Sequence, residues 1–177
     1  GKTALNNGQS QWITSAAARE DGHQWRARAG AILTGVGTVL ADDPLLNVRV
    51  SANDNASTSR QPPLVIVDSQ LRTPVDAKLF AINNIATQAI NTSARAIFIY
   101  TNSSDTAKIA ALEAKGATVI QLPNADENGQ VNLSAMLHDL ALREVNELHV
   151  EAGATLNGAL MAAGLVDEFL VYLAPKL

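Results

Sequence analysis

The residues that could do chemistry concentrate between positions 35 and 49. A G-x-G turn at 35–37 follows the apolar run Ala31–Leu33, and two acids, Asp42 and Asp43, precede Arg49. Glycine lets a backbone approach a ligand closely because no Cβ intervenes. Ligands of open α/β sheets bind at the carboxyl ends of strands. The stretch therefore predicts a strand, a turn and a short helix that line a site for a phosphorylated or polar ligand.

A second glycine turn, Gly153 to Gly158, follows the acid Glu151 and opens another predicted helix. Free N–H groups and the helix dipole suit such a position to phosphate. Neither turn has the G-x-G-x-x-G or P-loop pattern, so each alone could be a plain strand-to-helix turn. Two such turns at adjacent strand ends favour a binding site.

Several side chains have both a functional and a structural interpretation. Arg26 and Arg49 could clamp a phosphate by bidentate hydrogen bonds or lie on the surface. The acids at 42 and 43 could form a paired carboxylate site, or start a turn and cap a helix. Trp12 and Trp25 could stack on a base, although a core position is the commoner one. The histidines lack metal-ligand spacing and are interpreted as structural, so no metal site is predicted: His23, His138 and His149.

Composition excludes several functional classes. The chain has 177 residues, a net charge of −4 and no cysteine. Without a basic face, a nucleic-acid partner is not expected. The absence of cysteine excludes disulfides, cysteine-based zinc sites and thiol nucleophiles. No apolar stretch is long enough to cross a bilayer, so no membrane partner is expected.

The order of apolar runs predicts an α/β domain with a mostly parallel sheet and helices on both faces. The predicted strands are Ala31–Leu33, Leu64–Val67, Ala96–Tyr100, Ala117–Leu122, Glu147–Val150 and Phe169–Leu173. The predicted helices run from a Ser15 cap to Ala29 and over Thr106–Lys115, Leu133–Glu144 and Leu156–Ala163. Ser51–Arg60 is predicted to be a loop, and Ala81–Ser93 fits either a helix or a loop.

Seven ordered motifs resemble the reductase half of the bacterial bifunctional riboflavin-biosynthesis deaminase–reductase family. They are Ser10–Thr14, Arg26–Arg28, Thr38–Arg49, Val67–Ser69, Val150–Leu160, Ala163–Glu168 and Tyr172–Leu177. The resemblance implies a dihydrofolate-reductase-like fold and NADPH-dependent reduction of 5-amino-6-(5-phosphoribosylamino)uracil, with hydride delivered to the ribose anomeric carbon. Alternatives are a reductase of another pterin or pyrimidine, or a non-catalytic nucleotide-binding module.

The resemblance also implies roles for individual residues. Substrate-binding positions of the family match Ser10, Arg26, Leu46, Arg49 and Glu151. Cofactor-binding positions match Trp12, Thr38, Asp42, Ser69, Gly153, Ala154, Thr155, Leu156, Asn157, Gly158 and Ala159. Asp42 and Glu151 are candidate catalytic residues, and the proton donor stays unassigned.

The chain departs from the family in what it lacks. It has none of the deaminase zinc motif, so a single reductase domain over residues 1–177 is expected, with terminal strands missing at both ends. The resemblance further implies a homodimer, and the absence of cysteine suits the predicted cytoplasmic location.

Overall fold

Five short apolar runs form a wholly parallel sheet in the computed structural model, which describes residues 13–49, 60–81, 95–122 and 129–174. Strands β1 to β3 are largely buried, which explains why their sequences are continuously apolar rather than alternating. The strands are β1 (Ala31–Gly35), β2 (Leu64–Val67), β3 (Ile97–Thr101), β4 (Ala117–Gln121) and β5 (Leu148–Val150).

The strand order is β4-β3-β2-β1-β5, so the chain reverses direction across the sheet once. β1 to β4 are added side by side, and β5 then returns to the opposite side of β1, where Leu33 pairs with Val150. Such a reversal leaves a crevice outside the carboxyl ends of the two strands, where ligands of open α/β sheets bind. Both glycine turns follow strands that border this crevice.

Three helices begin where the sequence predicts, at Ala16, Thr106 and Leu133, whereas the helix predicted from Leu156 begins at Ala154. The helices are α1 (Ala16–Arg28), α2 (Val36–Asp42), α3 (Thr106–Glu113), α4 (Leu133–Leu142) and α5 (Ala154–Ala162), with a 3₁₀ turn at Lys78–Phe80. Side chains of Ser15, Asp105 and Asn132 accept an N–H of the first turn in α1, α3 and α4. Gly116 and Gly164 follow α3 and α5 with φ of +89° and +65°, the left-handed conformation that glycine adopts without strain.

Two hydrophobic clusters cover the two faces of the sheet, as predicted. One contains Val39 of α2 and Leu112 of α3, and the other contains Met136 of α4 and Leu160 of α5. Connections between parallel strands are right-handed. A helix therefore lies on one face of the sheet when the next strand is added on one side, as from β3 to β4, and on the opposite face when the next strand is added on the other side, as from β4 to β5. The position of α4 opposite α3 therefore follows from the reversal.

The predicted strand at Phe169–Leu173 is wrong. The segment has no strand structure, and Phe169, Val171 and Leu173 are 63%, 66% and 87% exposed. A strand needs a neighbour that pairs with its backbone groups, and no described strand pairs with this segment. It is held instead near α1 by a hydrogen bond from the Tyr172 hydroxyl to Asp21.

Some predictions fall on residues that the structure does not describe. They concern the chain ends at 1–12 and 175–177, the loop at 51–59 and the ambiguous segment 82–94. Trp25 is only half-buried, with the Arg28 guanidinium 4.0 Å from its ring centroid, so it lies outside the core. None of the helices in the described ranges is long and apolar enough to span a bilayer.

Candidate functional site

An ion pair between Arg26 and Glu151 stands at the crevice between β1 and β5. Nε and Nη2 of Arg26 each donate to one carboxylate oxygen of Glu151. The backbone of Glu151 is held by β1, because its N–H donates to Leu33 O at 2.8 Å and its carbonyl accepts from the Thr34 hydroxyl at 2.8 Å. The pair therefore joins α1, β1 and β5 at one point.

Glu151 is ionised in this arrangement. Burial acts to raise its pKa, but hydrogen bonds from Arg26 and His149 outweigh that effect and lower the pKa to about 2. His149 Nε2 lies 3.4 Å from Oε1 of the carboxylate. An ionised carboxylate accepts hydrogen bonds and has no proton to donate at neutral pH. Of its candidate roles, the structure favours binding over general acid catalysis.

A pocket of about 290 Å³ opens beside the ion pair. Its wall consists of α1, the segment that follows α2, and the 3₁₀ turn. The lining residues are Arg26, Asp43, Pro44, Leu45, Leu46, Asn47, Arg49 and Lys78. Three of them are cationic and one is anionic, which suits the pocket to a phosphorylated ligand. The sequence predicted Arg26, Leu46 and Arg49 for this site, and the structure brings all three together.

Arg95 fixes the wall of the pocket from inside the protein. Its guanidinium donates to the carbonyls of Leu46 at 2.7 Å, Leu45 at 2.8 Å and Leu79 at 3.2 Å. Burial and the charge of Arg26 lower its pKa to about 10, which leaves it charged at neutral pH. Sequence reasoning missed Arg95; the signal was a charged residue directly before a buried strand.

Leu46 contributes its backbone to the wall rather than an exposed side chain. It is 6% exposed and packs in the cluster on the α2 face. Its φ of +48° is in the left-handed region, which a leucine adopts only when its surroundings impose it. The hydrogen bond from Arg95 to its carbonyl is part of what imposes it.

The two adjacent acids separate in the structure. Asp43 ends α2 with φ of 41° and accepts the Lys78 N–H at 2.8 Å, while its other oxygen lies 3.3 Å from Lys78 Nζ. The backbone and side chain of Lys78 lower the pKa of Asp43. Asp42 is exposed and does not line the pocket. A paired carboxylate site is therefore not formed.

Two histidines interpreted as structural flank the ion pair. His149 approaches Glu151 from β5, and His23 lies one helical turn before Arg26 on α1. His23 Nδ1 accepts the Arg49 N–H at 3.3 Å and lies 3.5 Å from Nη1 of Arg26. The contact of His23 with Arg49 joins residues 26 positions apart, so no local pattern revealed it.

The second glycine turn lies against the first. An ideal Cβ on Gly35 would be 3.5 Å from Leu156 Cδ2, so the first turn of α5 packs on the end of β1. α5 starts at Gly153 without a side-chain cap, unlike α1, α3 and α4. A Cβ on Gly153 would meet nothing within 4 Å, and its φ of −75° does not require glycine. The start of α5 is therefore open around Gly153, and uncapped helix N-termini are positions where anionic groups bind in proteins.

The other described residues that are predicted to bind the cofactor make no hydrogen bond with the ion pair or with the start of α5. Ser69 follows β2; its hydroxyl donates to Gln130 Oε1 at 3.1 Å and accepts the Val131 N–H at 3.0 Å. Thr38 is partly buried in α2. Ser10 and Trp12 lie outside the described residues. No group of three or more possible metal ligands occurs in the described part of the chain.

The comparison with protein families decides the classification. The sequence model of the RibD C-terminal domain matches residues 1–177. The chain belongs to the RibD C-terminal domain family. The riboflavin biosynthesis protein RibD of Escherichia coli is 40% identical over 185 residues, which cover 100% of this chain and 46% of that protein. The 5-amino-6-(5-phosphoribosylamino)uracil reductase of Buchnera aphidicola is 34% identical over 98% of this chain and 79% of its own length.

Solved structures give the same fold. RibD of Acinetobacter baumannii superposes with a TM-score of 0.71 at 30% identity, over 98% of this chain and 44% of that one. The riboflavin biosynthesis reductase of Saccharomyces cerevisiae, 19% identical, shares the fold with a TM-score of 0.63. The fold is dihydrofolate-reductase-like, as the motifs implied. The chain spans less than half the length of the RibD proteins it matches.

Proposed function

We propose that this RibD C-terminal domain reduces 5-amino-6-(5-phosphoribosylamino)uracil to the ribitylamino compound with NADPH, in riboflavin biosynthesis. The observation that carries the proposal is an ion pair at the reversal point of the sheet: Arg26, which lines the cation-rich pocket, binds Glu151, which lies two residues before the uncapped helix start at Gly153. The pocket suits a ribose phosphate and the helix start suits a dinucleotide phosphate. The similarity to the 5-amino-6-(5-phosphoribosylamino)uracil reductase of Buchnera aphidicola supports the same reaction.

The pocket is assigned to the phosphorylated sugar. Arg49 is exposed and makes no ion pair with a described carboxylate, so it is the cation most available to a phosphate. Arg26 is already committed to Glu151 and to the Asn47 carbonyl at 3.1 Å. Its role is to orient Glu151, whose oxygens accept hydrogen bonds from the hydroxyl or amino groups of the substrate.

The crevice in front of α5 is assigned to the cofactor. Backbone N–H groups at the start of α5, ahead of Asn157, hold a phosphate, because the N–H of Asn157 already donates to Gly153 O at 3.1 Å. The family implies further contacts from Ser10, Trp12, Thr38, Asp42, Ser69 and the other residues of 153–159. NADPH would supply the hydride, and the protein supplies orientation and electrostatics. The low pKa of Glu151 means that the proton comes from another donor.

The test is a turnover assay on the purified chain. Adding the aminouracil ribosyl phosphate to protein and NADPH should produce substrate-dependent oxidation of NADPH, and dihydrofolate should not replace the substrate. Circular dichroism confirms in parallel that the protein is folded. A folded protein that consumes no NADPH with authentic substrate contradicts the proposal. The homodimer, the cytoplasmic location and the single-domain boundary at 1–177 stay predictions.

A further inference from the structure

We infer that His23 is a positioning residue that sets the affinity for the substrate phosphate by holding Arg49 in place; this rests on the proposed function. His23 does not reach the reacting atoms in this assignment. It acts through the backbone of Arg49, whose N–H it accepts at 3.3 Å on Nδ1.

The segment 47–49 is held at each of its three residues. Arg26 donates to the Asn47 carbonyl at 3.1 Å. The Gln61 amide accepts the Val48 N–H at 2.9 Å and donates to the Val48 carbonyl at 3.1 Å. His23 completes the series at Arg49. Since His23 and Arg26 are three residues apart on α1, they face the segment from the same side of the helix.

The hydrogen bond requires a neutral imidazole. Nδ1 can accept an N–H only when the ring proton is on Nε2. Burial first, and then the charges of Arg26 and Arg49, lower the pKa of His23, while Glu151 acts in the opposite direction. The charged groups around His23 thus favour the form that holds Arg49.

Arg49 is the one arginine of the pocket that has no carboxylate partner among the described residues. Arg26 is bound to Glu151, and Lys78 is bound to Asp43. Arg49 must therefore supply much of the attraction for a phosphate. Fixing its backbone before the substrate binds reduces the ordering cost of binding. Losing that anchor should weaken binding of phosphorylated ligands and leave bound substrate equally reactive.

The experiment compares His23→Ala with His23→Asn, whose amide oxygen occupies the place of Nδ1. His23→Ala should raise KM for the phosphorylated substrate by about threefold, the loss of one exposed hydrogen bond of 3.3 Å, with kcat and the KM for NADPH unchanged. His23→Asn should recover most of the loss. The dephosphorylated substrate should show no such change, and His138→Ala, on the exposed side of α4, is the matched control.

Several outcomes overturn the inference. They are an equal rise in KM for both forms of the substrate, a fall in kcat at constant KM, or an Asn variant no better than the Ala variant. Calorimetric binding of ribose 5-phosphate, with ribose as control, gives a readout that does not depend on turnover. A wild-type protein that binds ribose 5-phosphate through His23 and Arg49 but never oxidises NADPH would contradict the proposed function and support this inference.

Discussion

Replacing Glu151 with glutamine should destabilise the protein at neutral pH and remove part of its acid sensitivity. The substitution keeps the size of the side chain and eliminates the charge that Arg26 binds through two hydrogen bonds. A half-buried guanidinium without its carboxylate loses charge-assisted hydrogen bonds, which are stronger than neutral ones. Losing these charge-assisted hydrogen bonds lowers the free energy of unfolding.

The structure gives the size and the pH range of the effect. Lowering the pKa of Glu151 from 4.5 to about 2 is equivalent to about 3 kcal/mol. The Arg26 and Glu151 side chains are 18% and 26% exposed, so solvent screening reduces the expected contribution to about 2 kcal/mol. Because the folded pKa lies below the unfolded one, this stability is complete above the unfolded pKa and is lost as pH falls toward the folded pKa.

Urea unfolding of both proteins at several pH values measures this contribution. The difference in unfolding free energy should be about 2 kcal/mol at neutral pH and shrink to about half near pH 3. Other carboxyl groups titrate in both proteins and cancel in the difference. Glu147→Gln is the control, because its exposed pair with Arg28 should contribute less than about 1 kcal/mol. A difference that is absent at neutral pH, or that does not change with pH, would refute the reasoning.

Two further substitutions separate binding from folding. Gly153→Ala should change the unfolding free energy by less than about 0.5 kcal/mol, because the added Cβ meets open space. It should nevertheless weaken NADPH binding, measured by calorimetry. Unchanged affinity for NADPH would show that the turn holds no phosphate. Its control, Gly30→Ala, puts a Cβ 2.8 Å from the Glu147 carbonyl oxygen and should destabilise the sheet. Arg95→Met should cost about 3 kcal/mol in urea unfolding, because three carbonyls lose their donor and two of those hydrogen bonds are buried. A cost below about 1 kcal/mol would mean that water or another donor replaces the guanidinium.

Local signals in the sequence predicted most of the fold. Strand β2 has the predicted limits, and Ser15 caps α1 as predicted. Such features depend on neighbours a few residues away. The strand predicted at Phe169–Leu173 failed because strand propensity is expressed only when a pairing partner is present.

The candidate site was harder to predict because its contacts are distant in sequence. Arg26 and Glu151, separated by 125 positions, were each selected as substrate-binding residues, but not as partners. Arg95 and His23 act on the pocket through backbone groups of other segments, and no spacing rule reveals such contacts. The sequence did predict that the two glycine turns follow neighbouring strands, and the pairing of β1 with β5 confirms it.

The ion pair between Arg26 and Glu151 depends on the pairing of β1 with β5, so it forms only when these two strands have met during folding. The first strand of the sheet lies beside the last one, and the ion pair spans nearly the same interval. Contacts between such distant segments form slowly, because a long chain must be ordered before they are gained. Until β5 pairs with β1, Arg26 at the pocket has no Glu151 to bind, so a ligand that needs this ion pair reports that the last described strand is in place.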